Sequence, residues 1–223
     1  MASAVDVIVF DVNETLSDMA PLGSAFAAAG APEHLATTWF AGILRDGFAA
    51  TAAGGNTAFA DIARDSLSRL LAEDGVPSVA AAVESIMGTL RTLEVHPDVV
   101  PGIEALHSAA ELVTLSNGAT TVADTLLTGA GIRQHFSRLL SVEDAPAWKP
   151  ARAAYEYAAA RCGTALERML LVAVHPWDVH GARTAGMRTA WLNRSGTRYP
   201  AYFARPDLEA PDLPSLDLAS VLG

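Results

Sequence analysis

The chain has 223 residues, 51% of them hydrophobic, and 15 basic against 25 acidic side chains give it a formal net charge of −10. This hydrophobic content suffices for a full core and excludes a disordered chain, and the acidic balance argues against nucleic-acid or anionic-membrane partners. The single cysteine, Cys162, excludes an internal disulfide and indicates a reducing compartment. Because the sequence also shows no leader peptide and no bilayer-spanning apolar run, we expect a cytoplasmic protein.

The first predicted element is a strand over Val5–Phe10, a β-branched and aromatic run without Gly or Pro that is typical of a strand buried on both faces. Asp11 stands where this run ends, and Asn13, Thr15 and Asp18 follow. Open α/β sheets place ligands at the C-terminal ends of parallel strands, so this polar cluster is a candidate site. The alternative is a plain strand followed by an Asx turn.

The next segment, from about residue 19 to 92, is Ala-rich and has helical spacing with few strand formers. Glycine and proline divide it into separate helices. After a short Ala-rich stretch that ends at Gly30, helices are predicted at Leu35–Ala53, Ala58–Glu73 and Val79–Leu93.

From Asp98 onward the sequence alternates between helices and strands, which predicts a doubly wound parallel sheet. The predicted helices are Val100–Ser108, Thr120–Ala130, Ala151–Cys162, Val179–Ala185 and Leu216–Leu222. The predicted strands are Glu111–Leu115, Arg138–Ser141, Met169–Val174 and Arg188–Leu192.

Further polar residues end or follow these later strands. Ser116 and the turn amides after it could bind a carboxylate or an oxyanion, or form a simple Asn-Gly turn. Lys149, ahead of Pro150, is either a fixed cation beside Asp11 or a solvated surface lysine. His175 is a candidate base or water-orienting donor, or else a structural histidine that caps the following helix.

Together these stretches resemble the four motifs of the haloacid dehalogenase (HAD) superfamily. The matching residues are Asp11-Val12-Asn13-Glu14-Thr15, Ser116-Asn117, Lys149-Pro150 and Asp178. The resemblance implies a HAD-like Rossmannoid α/β core from residues 1–17 and 96–223, with helices on both faces of the sheet. It also implies an inserted all-helical cap domain at residues 18–95.

One departure indicates the branch of the family. Phosphatases of the superfamily use a second Asp as general acid, but Asn13 occupies that position here. A halide leaves without a proton, so a dehalogenase does not need the acid. The sequence therefore resembles the type II (S)-2-haloacid dehalogenases, which implies hydrolysis of small 2-haloacids to 2-hydroxy acids through an aspartyl ester.

The resemblance assigns roles to individual residues. Asp11 is the nucleophile, Lys149 keeps it anionic, and Asp178 pairs with Lys149 and positions water. The predicted catalytic residues are Asp11, Lys149, Asp178, Thr15 and His175. In a dehalogenase, His175 could also serve as a halide contact. The predicted substrate contacts are Asn13, Ser116, Asn117, Tyr155, Arg45, Trp39 and Phe40.

Two points of the pattern bear on metals and on the cap. Asp178 is a single acid at the fourth motif. One carboxylate there offers Mg²⁺ too few oxygen ligands, so no required metal or other cofactor is predicted. The arginine that type II dehalogenases place directly after a cap tryptophan is absent, because Phe40 follows Trp39. Arg45 is either its replacement, reaching the pocket from less than two helical turns along, or a solvated helix arginine.

The predicted partners are a 2-haloacid and a halide ion, and apolar cap helices would permit a homodimer. Two other functions stay open from the sequence. One is a phosphatase of the same fold, and the other is a HAD-fold binding protein with little or no turnover.

Overall fold

The structure is a computed structural model and describes residues 5–218. Its sheet has six parallel strands in the order β3-β2-β1-β4-β5-β6. Strand β1 is central, and its Val9 pairs with Val113 on one side and Leu171 on the other. The strands are β1 (Val7–Phe10), β2 (Glu111–Ser116), β3 (Phe136–Ser141), β4 (Met169–Ala173), β5 (Arg188–Leu192) and β6 (Leu208–Ala210).

Eight α-helices are found among residues 5–218, and the first four, α1–α4, follow β1 directly. The helices are α1 (Pro21–Ala28), α2 (Leu35–Ala52), α3 (Phe59–Glu73), α4 (Val79–Arg91), α5 (Val99–Leu106), α6 (Thr120–Gly129), α7 (Arg152–Cys162) and α8 (Pro176–Ala185).

The core lies on both faces of the sheet, because side chains alternate along each strand. Val7 and Val9 of β1 face the apolar layer that contains α7 and α8. Ile8 and Phe10 face the opposite layer, which contains α5 and α6. Helices therefore cover both faces, and the predicted doubly wound α/β architecture is confirmed.

Helices α1–α4 leave and rejoin the sheet at one place. The backbone N–H of Asp18 donates to the Glu94 carbonyl (2.8 Å), and the N–H of His96 donates to the Leu16 carbonyl (3.0 Å). The chain thus departs and returns on two adjacent segments. We call α1–α4 the helical block. Its helices bury apolar side chains in the same core layer that contains α7.

The structure differs from the sequence-based elements mainly near the C-terminus. Helix α8 begins at Pro176 rather than Val179, because proline suits the first helical turn. The short strand β6 was not predicted, since it has three residues in a proline-rich segment. The predicted helix at Leu216–Leu222 lies mostly outside the described residues, and residues 216–218 are not helical. Between residues 5 and 218, none of the helices combines the length and apolarity needed to cross a bilayer.

Candidate active site

The predicted site residues meet at the C-terminal edge of the sheet. Asp11 follows β1, Ser116 ends β2, and His175 stands two residues after β4. Because β1 lies between β2 and β4, Asp11 is flanked by the ends of both neighbours. This is the edge at which open α/β sheets bind ligands.

Lys149 joins two carboxylates at the base of the site. Its Nζ lies 2.8 Å from Oδ1 of Asp11 and 2.6 Å from Oδ2 of Asp178, and its side chain is fully buried. Burial alone would raise the pKa of Asp11, but the charges of Lys149 and His175 and their hydrogen bonds hold it well below its usual range. Burial would lower the pKa of Lys149, but the two carboxylates raise it, so the ammonium stays charged.

Asp178 is held from behind by Tyr155. The Tyr155 hydroxyl donates to Oδ1 of Asp178 at 2.7 Å, and Gly181 permits this approach because an added Cβ would lie 2.6 Å from the hydroxyl. Burial raises the pKa of Asp178, against the opposing effect of Lys149. Burial beside Asp178 also raises the pKa of Tyr155 well above its usual value, so the phenol stays a donor. The structure therefore places Tyr155 against Asp178, and its predicted substrate contact stays a prediction.

The second oxygen of Asp11 accepts from two other groups. Thr15 Oγ1 donates to Oδ2 at 2.7 Å, and the same hydroxyl accepts the Val174 N–H at 3.1 Å, which fixes its orientation. His175 Nδ1 lies 3.0 Å from the same oxygen. Asp11 is thus oriented from both ends of its carboxylate.

His175 is placed between two acids. Its Nε2 lies 2.7 Å from Oε2 of Glu14, and Nδ1 faces Asp11. Ionised carboxylates only accept hydrogen bonds, so both ring nitrogens carry a proton and the ring is an imidazolium. Burial would lower the pKa of His175, but the hydrogen bonds and charges of Asp11 and Glu14 raise it to about 9. Its side chain caps no helix, so the capping alternative for His175 is wrong.

Glu14 adopts an unusual backbone conformation to make this contact. Its φ of +61° lies in the left-handed region, where every other residue with positive φ among residues 5–218 is glycine. Its carbonyl accepts from Nε2 of His96 (3.0 Å) and Nη1 of Arg194 (3.4 Å). Sequence analysis did not assign Glu14 to the site, since no sequence signal marks a non-glycine residue with positive φ.

The turn after β2 faces the same site. Ser116 Oγ accepts the Gly118 N–H at 2.9 Å, and an added Cβ on Gly118 would lie 3.8 Å from the Asn13 amide nitrogen. The Asn117 side chain accepts the Lys149 N–H (3.0 Å) and donates to the Lys149 carbonyl (3.3 Å). Asn117 therefore anchors the backbone of Lys149, and its predicted contact with the substrate carboxylate stays a prediction.

Aromatic rings from the helical block close over the site. Phe40 stacks on His175 with ring centroids 6.4 Å apart, and it lies equally far from Phe59. Trp177 also contacts His175, with ring centroids 4.9 Å apart, and Trp148 stacks on Phe59 at 6.0 Å. Neither tryptophan was predicted as a site residue, although each directly precedes a residue that was, Lys149 or Asp178.

Two predicted substrate contacts lie elsewhere. The Trp39 indole donates to the Ala63 carbonyl at 3.0 Å and packs inside the helical block. Arg45 pairs with its neighbour Asp46 and its side chain is 73% exposed. The structure thus contradicts the prediction that Arg45 reaches the pocket, because the guanidinium is on the solvent side of α2.

The donor set does not fit a divalent cation. Phosphatases of the superfamily would hold Mg²⁺ near Asp11 and Asp178, but all four oxygens of these carboxylates already accept from Lys149, Thr15, His175 or Tyr155. Lys149 supplies the positive charge between the two acids. Over residues 5–218, no group of three or more His, Cys, Asp or Glu side chains is arranged to hold a metal ion.

A family model described as haloacid dehalogenase-like hydrolase matches residues 5–186, which include every residue of this site. The chain belongs to the haloacid dehalogenase-like hydrolases. Its HAD fold is shared with the crystal structure of the L-2-haloacid dehalogenase RSc1362, with a TM-score of 0.90, 26% identity and 99% coverage of both chains.

The curated relatives of this hydrolase include dehalogenases and a phosphatase. Haloacetate dehalogenase H-2 of Moraxella sp. (strain B) is 34% identical over 120 residues, and several (S)-2-haloacid dehalogenases of Pseudomonas also match. A phosphoserine phosphatase of Thermus thermophilus is 36% identical over 120 residues. The chain spans about half the length of these relatives: 53% of it aligns with 54% of the dehalogenase and with 48% of the phosphatase.

Proposed function

We propose that this chain hydrolyses small 2-haloacids to 2-hydroxy acids through an ester formed on Asp11. The observation that carries the proposal is the state of Asp11, a buried carboxylate kept ionised by Lys149 at 2.8 Å and oriented by Thr15. Two residues after Asp11, Asn13 supplies an amide that cannot act as a general acid. This combination suits a reaction whose leaving group needs no proton. The named dehalogenase relatives support the same chemistry.

In the first step, an oxygen of Asp11 attacks the carbon that bears the halogen. The new C–O bond forms as the carbon–halogen bond breaks, and the halide leaves with the bonding pair. Ser116, the Asn13 amide and the turn amides bind the substrate carboxylate. Phe40 and Phe59 provide an apolar wall for the halide, in keeping with their burial beside His175 and Trp148.

In the second step, water cleaves the ester at Cγ of Asp11. Ester formation removes the Asp11 charge that holds a proton on Nδ1 of His175, so that proton passes to solvent. Glu14 keeps the proton on Nε2, which leaves the Nδ1 lone pair facing the ester. His175 is then the base that takes a proton from the attacking water, and Glu14 is the positioning residue behind it.

The tetrahedral intermediate then collapses, and both protons of the attacking water are accounted for. The bond from Cγ to the alkyl oxygen breaks, and that oxygen takes one proton to become the product hydroxyl. The second proton of the water ends on His175, beside the regenerated Asp11 carboxylate. Each turnover therefore releases one halide ion, one proton and one hydroxy acid.

We also propose that residues 18–95 act as a cap domain over the core formed by the rest of the chain. Supporting this division, the chain departs and returns through paired segments at Leu16–Asp18 and Glu94–His96. Two residues of the block, Phe40 and Phe59, form the wall above Asp11.

The proposed reaction needs no metal, because Lys149 already provides the charge between Asp11 and Asp178. A phosphatase activity is the second candidate, favoured by the phosphoserine phosphatase relative. Against it stand Asn13 in place of the acid and the four engaged carboxylate oxygens.

The test is halide release from (S)-2-chloropropionate and chloroacetate, with and without a chelator. We expect stoichiometric halide and hydroxy acid at a rate that the chelator does not change. Magnesium-dependent release of phosphate from small phosphate esters, without halide release, would replace the proposal with the phosphatase.

A further inference from the structure

A cavity of about 410 Å³ reaches the site from the side of the loop after β5. His175 and Glu14 form part of its wall, together with His96, Trp191 and Arg194. The Glu14 side chain is 40% exposed, whereas that of Asp11 is 5% exposed. A single imidazole ring therefore separates the buried Asp11 from a space that opens to solvent.

The polar side of this cavity is a built structure. Asp98 binds Arg194 through two hydrogen bonds of 3.2 and 2.8 Å, which hold the guanidinium at the cavity wall. Arg194 and His96 both donate to the Glu14 carbonyl, and so they fix the left-handed turn that aims Glu14 at His175. These fixed polar groups give ordered water the hydrogen-bond partners that it needs.

Two sides of Asp11 are thereby distinguished. Phe40 stacks on His175 and contacts Phe59, and neither ring lines the cavity. In the proposed reaction, the substrate and then the ester's alkyl group lie on the side of these two rings. While the ester is present, that side is occupied. Water that arrives past His175 meets the carboxyl carbon from the side on which the base stands.

We propose that this cavity delivers the hydrolytic water to the Asp11 ester and carries the released proton back to solvent. The inference rests on the proposed function, because it concerns only the second step of that reaction. The end of β5 and the loop after it thus form the outer wall of a water route, through Trp191, Leu192, Arg194, Ser195 and Thr197. The occupant is water and its proton, so no further ligand is required.

The experiment blocks the mouth of the cavity with a bulky label that is attached through a reducible disulfide. Ser195 lines the cavity, is exposed, and bonds only to the neighbouring Thr197 hydroxyl among the polar contacts of the described residues. In a Cys162→Ala background, Ser195→Cys is labelled with a bulky methanethiosulfonate reagent, with labelling verified by mass spectrometry. Rapid quench with excess chloroacetate then measures first-turnover halide release and ester hydrolysis separately.

We expect the label to slow ester hydrolysis by about tenfold or more, a barrier increase of about 1.4 kcal/mol, and to leave first-turnover halide release unchanged. Reduction of the mixed disulfide should restore the original rate in the same sample. As a matched control, Ser215→Cys carries the same label on an exposed serine that does not line the cavity, and both of its steps should be unaffected.

The outcomes separate this inference from the proposed function. Unchanged ester hydrolysis in fully labelled Ser195→Cys would overturn the water route while leaving the dehalogenase intact. Equal slowing of both steps would also overturn it, because the label would then act on the whole site. No halide release from the unlabelled protein would instead remove the proposed function. Thr197→Cys, on the same rim, repeats the test at a second position.

Discussion

Asp11 is held by two groups of side chains that differ in how they meet solvent. On one side, Lys149, Asp178 and Tyr155 form a closed network whose side chains are fully buried. On the other, His175 connects Asp11 to Glu14, whose side chain reaches the cavity. The closed side can keep its charges constant through a reaction, because its protons have no route out. The open side can gain and lose a proton, which ester hydrolysis requires.

The largest effect should come from the residue that both sides share. Asp11→Asn removes the nucleophile, so we expect halide release to fall by at least about 10⁴-fold. Halide release is measured directly, and mass spectrometry of the variant excludes spontaneous deamidation back to aspartate. Full activity in intact Asp11→Asn would contradict the role of Asp11.

Breaking the closed side should cost both stability and rate. Lys149→Met leaves two buried carboxylates without their cation, so the free energy of unfolding should fall by about 3–5 kcal/mol. Halide release should fall by about 100-fold or more, because the pKa of Asp11 rises without the ammonium. Urea denaturation and halide release at several pH values check both effects.

Arg152→Met is the matched control for Lys149→Met. Arg152 forms an exposed pair with Glu156 one helical turn on, and exposed pairs contribute about 0.5 kcal/mol. If Lys149→Met lost no more stability than Arg152→Met, the buried network would not be what stabilises the site.

Breaking the open side should affect one step. With His175→Asn, first-turnover halide release should persist while ester hydrolysis slows by about 100-fold, the usual contribution of a general base. The alkylated enzyme should then accumulate and be visible by mass spectrometry. His180→Asn, on the same helix, is the control and should hydrolyse the ester normally.

His175 should also leave a signature in stability. Its pKa in the fold, about 9, lies above the ordinary value of 6.5, so protonated His175 stabilises the fold fully below about pH 6.5. That contribution is lost as pH rises through 9, and its full size is about 3 kcal/mol. The difference in unfolding free energy between the unsubstituted protein and His175→Asn should therefore shrink from pH 6 to pH 10. A difference independent of pH would contradict the imidazolium.

The smallest effect concerns the contact between the helical block and Trp148, the residue before Lys149. An added Cβ at Gly47 would lie 2.3 Å from the Trp148 ring, whereas nothing lies within 4 Å of one at Gly42 on the same helix. Gly47→Ala should therefore lower the unfolding free energy by about 1–3 kcal/mol. Gly42→Ala should raise it by about 1 kcal/mol, since alanine favours the helix. Thermal unfolding of the pair measures the difference, and equal shifts would contradict the close packing.

The sequence predicted most of the sheet and helices, because their patterns are carried by consecutive residues, as in the predicted strands Val5–Phe10 and Glu111–Leu115. It also predicted Asp11 and His175, because each follows a strand, and Lys149, because Lys149-Pro150 resembles the third motif of the family. It could not predict Glu14, whose role depends on a left-handed φ that only tertiary hydrogen bonds impose. Arg45 was placed wrongly because spacing along a helix does not show which face meets the sheet.

The most direct test of Asp11 as nucleophile is a single turnover with enzyme in excess over (S)-2-chloropropionate in water labelled with heavy oxygen. The ester route predicts that the label enters the Asp11 carboxylate and that the product hydroxyl carries ordinary oxygen from Asp11. Label found directly in the product hydroxyl, with none in Asp11, would mean that water attacks the substrate itself and would contradict the ester on Asp11.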